Sequence, residues 1–137
     1  SAEFLRFGSI HRNSYLNSPA SLGPALTAPD DDQLFFAGQL TGVEGYTESL
    51  GTGLLAGINL ARRLCGRPAA VPPPTTMLGG LYRYLRDADP KHFQPMNANF
   101  GLLEPLATTG RVAKDRKRVL LVERAQADLS DWLSEVG

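Results

Sequence analysis

Glycines at positions 38, 42, 45, 51, 53 and 57 lie between a short apolar run and an apolar helical period. In a loop, glycine permits positive φ and, without a Cβ, lets a ligand come up against the backbone. A helix start beyond such a loop leaves about four N–H groups unpaired and carries roughly half a positive charge. That arrangement can hold an anion or a carbonyl-rich ring. A strand-turn-helix with no ligand has the same outline, so the glycines alone leave both readings open. His11 can serve as an acid, a base or a stacking partner, since its unperturbed pKa is about 6.5, or it can be purely structural. Asn97 and Asn99 can donate and accept at once, which suits the edge of a heterocycle and equally suits bracing of their own loop. Cys65 falls at the last turn of a helix, where the dipole disfavours a thiolate, and it reads as a small packed hydrophobe. As the single cysteine it excludes an intrachain disulfide and any CxxC metal or redox pair, and no metal site is expected. Arg111, Lys114, Arg116, Lys117 and Arg118, offset only by Asp115, can contact phosphates or form a solvated helix start.

The elements that position these residues follow from the apolar pattern. Leu34-Phe35-Phe36-Ala37, bounded by Gly38, has the length and aromatic content of a buried strand. Leu50, Leu54, Ile58 and Ala61 recur at the period of one helix face. Gly53, Gly57 and Ala61 share one side at i, i+4 and i+8, which would let the helix lie close on a sheet at about 1 kcal/mol per glycine. Gly66 and Pro68 end that helix near Leu64 or Cys65.

Upstream, residues 1–17 read as extended and residues 18–33, with three prolines and three solvated aspartates, as a loop over the surface. Downstream, residues 67–74 form a stiff proline connector. Thr75 or Thr76 caps a helix that buries Leu78, Leu81 and Leu85 and stops at Asp89-Pro90. Arg83 and Arg86 lie on its other side, either solvated or against nucleic acid. Residues 91–106 carry no regular period. Residues 112–136 predict a long closing helix with Val122, Ala125, Leu129, Trp132, Leu133 and Val136 on one face. Its basic start and acidic end run against the macrodipole, so either it begins nearer Val119 or an anion favours the basic end.

The residues of the glycine unit resemble a known family. AGQLTGVEGYTES followed by GLLAGIN is similar to the C-terminal flavin-contacting segment of the folate- and FAD-dependent tRNA (uracil-5-)-methyltransferases, the TrmFO family. It is more remotely similar to wobble-uridine modifying flavoproteins of the MnmG type. Phe4-Leu5-Arg6-Phe7-Gly8 with His11-Arg12-Asn13, then Pro73-Pro74-Thr75-Thr76, then the segment from Asp89 through Pro95-Met96-Asn97-Ala98-Asn99-Phe100-Gly101, match the family pattern in the same order. The resemblance implies that Gly38 and Gln39 approach the ribityl chain of FAD, that Gly42, Val43, Glu44, Gly45 and Tyr46 approach the flavin, and that Asn97 joins them. It also implies a substrate role for His11, Arg12 and Asn13; Arg116, Lys117 and Arg118 are expected as tRNA contacts on the local charge excess and the helix dipole, not on the resemblance. The whole protein would reduce a one-carbon unit from methylenetetrahydrofolate, with electrons passed from NAD(P)H through FAD. It would place the methyl on C5 of a T-loop uridine. The family's reactive cysteines lie in upstream segments, so no catalytic residue is assigned here. A MnmG-like modifier and a non-catalytic RNA-binding or assembly fragment remain as alternatives, and Pro-Met-Asn-Ala-Asn-Phe-Gly argues for TrmFO over MnmG.

Bulk properties bound these readings. With 137 residues, 42% hydrophobic and 20% charged, the chain suits one globular domain. Lys+Arg and Asp+Glu both number 14, so no global field draws it to nucleic acid or membrane and any such binding is local. Residues 50–61, the longest nearly apolar stretch, fall short of the roughly 20 a bilayer span needs. No secretory signal opens the chain, and a cytoplasmic location is expected. One strong strand makes an incomplete sheet, and the GxGxxG fingerprint is absent. The expected fold is therefore α/β: the C-terminal part of a Rossmann-like FAD-binding domain, completed by missing N-terminal and inserted-domain segments. Residues 1–32 lead in, 33–66 form the strand-loop-helix unit, and 67–137 complete the domain.

Overall fold

A computed structural model describes residues 14–107 and 112–136. The expected N-terminal extension, including His11, Arg12 and Asn13, and Arg111 of the basic cluster lie outside the described residues.

The chain builds with helices. In order they are α1 (Ser18–Ser21), α2 (Tyr46–Leu64), α3 (Met77–Asp87) and α4 (Lys114–Val136), with single 3-10 turns at Gly38–Thr41 and Phe100–Leu102. No strand forms among the described residues, which departs from the sheet expected of an α/β unit. The 34–37 run pairs only through an isolated antiparallel bridge, Thr27 with Phe35, and Leu34 is exposed. A strand needs neighbours for its N–H and C=O groups, and this segment finds only the 23–28 turn beside it. The second bridge is parallel, Val43 with Met96, and it ties the glycine turn to the 94–99 loop.

The core gathers Leu26, Val43, Leu55, Leu81, Tyr82, Leu85 and Phe93. Leu26 corrects the surface reading of residues 18–33. It is buried, with φ of 58°, and its C=O accepts from Phe36 N–H, so the apolar Ala25-Leu26 pair tucks inward while Asp30, Asp31 and Asp32 stay exposed. Asp32 is also paired, with Arg63 at 2.6 Å.

Helix α3 forms as its sequence indicates. The Thr76 hydroxyl caps it by accepting from Gly79 N–H at 3.0 Å, Leu81 and Leu85 are fully buried, and Ala88 ends it before Asp89-Pro90. Arg83 turns to its own chain, donating to Leu102 C=O at 2.6 Å and pairing with Glu104. Arg86 pairs with its neighbour Asp87, which holds the Asp87 carboxyl below the usual range. Burial pushes the Tyr82 hydroxyl well above the ordinary tyrosine range, and that hydroxyl has no hydrogen-bond partner among the described residues.

Helix α2 stops as expected, with Cys65 at its C-cap and Gly66 at φ 70°, but it buries a different face. Thr52, Leu55 and Asn59 point inward; of the expected face Leu50, Leu54 and Ala61 are exposed, and only Ile58 is half-buried against the core. Asn59 fastens the following connector, with Nδ2 donating to Ala70 C=O at 3.1 Å and Oδ1 accepting from Ala70 N–H at 2.7 Å. Cys65 is exposed rather than packed.

Helix α4 starts at Lys114, well before Val119, so the basic residues do occupy its first turns. It docks through buried Leu121, half-buried Trp132, Arg124 donating to Glu104 C=O, and Thr75 donating to Asp128. Arg62 donates to Val136 C=O near the helix end. Val122, Leu129 and Leu133, expected on the docking face, remain exposed. No helix of the described residues is long and apolar enough to cross a membrane.

Candidate cofactor site

The glycine turn reaches its shape through three positive φ values. Gly38 (63°) opens the 3-10 turn, Gly42 (82°) closes it, and Gly45 (93°) caps α2. A side chain would be strained at each. Gly38 N–H donates to Thr52 Oγ1 at 2.9 Å, and Thr52 is wholly buried in α2, so the turn is stitched to the helix that follows it. Gly42 lies against the Phe93 ring, whose Cζ would stand 2.6 Å from a Cβ. Phe93 in turn packs on Tyr84 and Tyr15, with ring centroids 5.7 and 6.0 Å away. Gly38 and Gly42 thus shape the turn from behind.

The remaining turn residues face outward into a cleft of about 450 Å³ lined by Gln39, Val43, Glu44, Gly45, Tyr46, Ser49 and Asn97. Its floor is the start of α2. The first intrahelical bond there runs from Ser49 N–H to Gly45 C=O, which leaves the N–H groups of Tyr46, Thr47 and Glu48 ahead of the helical ladder. Tyr46 stands 93% exposed at the rim, an aromatic face left uncovered by the described residues.

Asn97 arrives from far along the sequence. Met96 N–H donates to Gly42 C=O at 2.9 Å, and Glu44 N–H to Met96 C=O at 3.0 Å. This two-bond parallel bridge lays the 94–99 loop beside the turn and sets Asn97 at the cleft. The two asparagines divide their work. Asn99 braces, its Nδ2 donating to Asn97 C=O and its Oδ1 accepting from Gly101 N–H. The Asn97 side chain makes no hydrogen bond among the described residues and lines the cleft. At the loop entrance, Asp89 accepts from Lys91 N–H and from the His92 ring, which holds its carboxyl below the usual range.

Of the expected cofactor set, Gln39, Val43, Glu44, Gly45, Tyr46 and Asn97 come together on one cleft. Sequence reasoning missed Ser49. Its position, one turn after Gly45 on the face that starts at the cap, is the signal that could have found it. The basic residues stand apart from the cleft on α4. Lys114, Arg116, Lys117 and Arg118 are exposed, and the Arg118 guanidinium lies over the Phe100 ring at 5.9 Å from its centroid.

The residues fit a ring-bearing cofactor. The cleft presents backbone donors, the amides of Gln39 and Asn97, hydroxyls and an aromatic face.

Comparison with known proteins agrees with the motif reading. The family described as Glucose inhibited division protein A matches residues 1–68. A methylenetetrahydrofolate–tRNA-(uracil-5-)-methyltransferase TrmFO from Geobacter sulfurreducens is 53% identical over 136 residues, 99% of this chain and 31% of that protein. The protein of the same name from Pelobacter propionicus is 54% identical over 137 residues, and one from Thermus thermophilus is 50% identical over 133. The chain spans about 30% of the length of these relatives. Across nearly its whole length, about half of the chain's residues are identical to those of these TrmFO proteins, and that is the likeness the motifs indicated.

Proposed function

We propose that the chain forms one wall of the FAD site in a TrmFO-type tRNA methyltransferase, as the C-terminal part of a Rossmann-like domain. The observation that carries this is the cleft at the start of α2, where a 19-residue helix, a positive-φ glycine turn and Asn97 meet. Gln39, Ser49 and Asn97 supply side-chain hydrogen-bonding groups, Tyr46 an aromatic face, and the helix start backbone donors. FAD bound there would carry reducing electrons. The chain's own residues would hold and orient the flavin and shield one side of it.

By the names of its relatives, the completed protein would use methylenetetrahydrofolate and methylate C5 of uracil in tRNA; NAD(P)H as reductant and a cytoplasmic location belong to the same proposal and rest on the resemblance alone. No nucleophile is assigned to this chain, and no methyl transfer is expected from it alone. The outer face of α2, with Leu50 and Leu64 more than 70% exposed, would receive the rest of the FAD domain.

The test is flavin retention. A full-length family member carrying this segment is expected to purify with FAD, and Gly45→Val in it should lose flavin before it loses fold. Full flavin occupancy in that variant would place the site elsewhere.

The exposed basic turn of α4 supports tRNA contact. Each cation in a first helical turn opposes the dipole by about 0.3–1 kcal/mol, a penalty that bound phosphates would offset. Replacing Arg116, Lys117 and Arg118 with Gln should reduce the salt slope of tRNA binding by about two to three units with FAD binding intact. An unchanged slope returns the cluster to solvent. The match to Glucose inhibited division protein A over residues 1–68 is what favours the second reading, a MnmG-like modifier; retained flavin with no dependence on methylenetetrahydrofolate would favour it.

A further inference from the structure

We infer that Glu48 is a positioning residue of the candidate flavin cleft: its carboxylate clamps the 96–99 loop onto the start of α2 and so holds Asn97 against the cofactor. The inference rests on the flavin reading above and adds a residue that does not itself line the cleft.

Three observations converge on this side chain. Glu48 is half-buried in the first turn of α2. Its Oε1 accepts from Ala98 N–H at 3.2 Å, across fifty residues of sequence. Its Oε2 lies over Gly45, so close that any Cβ at that position would displace it. One carboxylate therefore touches the helix cap on one side and the residue next to Asn97 on the other.

The loop has few other attachments near this point. The Met96 bridge fixes it on the turn side, and Asn99 braces only its own neighbours. Between the two, Ala98 packs on the core and its N–H is held to α2 by the Glu48 bond, which fixes the backbone beside Asn97. Removing that acceptor frees the Ala98 amide, which is half-buried, and lets Asn97 swing from the cleft. The bond needs an acceptor oxygen and not a charge, so Gln at position 48 should replace Glu while Ala should not.

The experiment uses a full-length family member carrying this segment, with FAD as the probe. The wild type, Glu48→Ala, Glu48→Gln, Asn97→Ala and the Glu48→Ala/Asn97→Ala double variant are compared by FAD titration and by the visible absorption band of bound flavin. Glu48→Ala is expected to raise the FAD Kd about tenfold and to shift or blur the flavin band, as Asn97→Ala does. Glu48→Gln should stay within about threefold of wild type with the native band, and the double variant should be no weaker than the worse single variant. An unchanged band and affinity in Glu48→Ala, a Glu48→Gln as impaired as Glu48→Ala, or additive effects in the double variant would each overturn the inference. If Glu48→Ala does not fold, the Glu48→Gln and Asn97→Ala pair decides: a native band in Asn97→Ala leaves Glu48 nothing to position. Wild-type protein that takes up no FAD refutes the flavin reading itself, a result distinct from all of these.

Discussion

Helices α2 and α3 both carry glycines, and they use them in opposite ways. In α3, Gly79 is so close to the backbone of Pro72 and Pro73 that a Cβ would overlap the Pro73 carbonyl oxygen, and a Cβ at Gly80 would stand 3.0 Å from the Leu102 carbonyl oxygen. Both glycines are buried, and the chain itself fills the space they leave. In α2, a Cβ added at Gly53 or Gly57 would meet nothing within 4 Å among the described residues, and Leu50, Leu54 and Leu64 beside them are 66–75% exposed. The small residues of α3 have found their neighbour, as has Gly51 of α2 against Leu78; Gly53 and Gly57 have none among the described residues. An apolar face with a glycine stripe destabilises a helix by about 1 kcal/mol per glycine and gains nothing while it faces water. The difference separates a finished interface from one that the proposed remainder of the FAD domain would complete.

The sharpest way to break the comparison is at Gly79. Gly79→Ala in this chain should destabilise it by about 3 kcal/mol, at the upper end of overpacking effects, because the obstruction is backbone and not a flexible side chain. Urea unfolding should show it as a lower midpoint with little change in slope. A variant within about 0.5 kcal/mol of wild type would mean that α3 is not packed on the proline connector as described.

The inner face of α2 should behave like α3 and unlike its own outer face. Asn59 is fully buried, and both ends of its amide are bonded to the Ala70 backbone. Asn59→Ala leaves a buried N–H and C=O unpaired and should lower stability by about 2 kcal/mol. Asn59→Asp can still accept from Ala70 N–H but cannot donate to Ala70 C=O, so it should be no better than Ala. Thermal unfolding of the two variants checks the ranking.

These faces also show what was legible in the sequence. Local signals sufficed where a residue acts on its own backbone. The Thr76 cap, the stop at Gly66-Pro68 and the positive-φ turn before α2 are chemistry within a few residues, and each is found where the sequence puts it. Signals that depend on distant partners misled. The 34–37 run has the composition of a buried strand, but without neighbouring strands among the described residues it makes one bridge. The Leu50, Leu54, Ile58, Ala61 period marks an apolar face of which Ile58 alone packs on the core, while the face that turns inward holds Thr52 and Asn59, whose burial depends on bonds to Gly38 and Ala70 that no periodicity reports. Most of the cleft could be read from one contiguous motif. Asn97 and Glu48 meet it through the 43–96 bridge and the Ala98 amide, contacts across fifty residues that spacing cannot supply. Resemblance to a family brought in Asn97, and only geometry brought in Glu48.

The smallest effect is the most discriminating, because its sign should depend on what covers α2. In this chain Gly57 is exposed mid-helix with helical φ and open space around its Cα. Gly57→Ala should therefore stabilise the chain by up to about 1 kcal/mol, through the better helix propensity of alanine and the smaller entropy of its unfolded state. In a full-length family member, the same methyl would meet whatever packs on the stripe, and overpacking of about 1–3 kcal/mol would outweigh the gain. Unfolding midpoints of the two Gly57→Ala proteins, each against its own wild type, should move in opposite directions. Gly66 supplies the control: it too has open space, but its φ of 70° makes alanine strained in either context, so Gly66→Ala should destabilise both. A Gly57→Ala gain that persists at full length would show that the outer face of α2 stays uncovered, and that the glycine stripe serves something other than close packing.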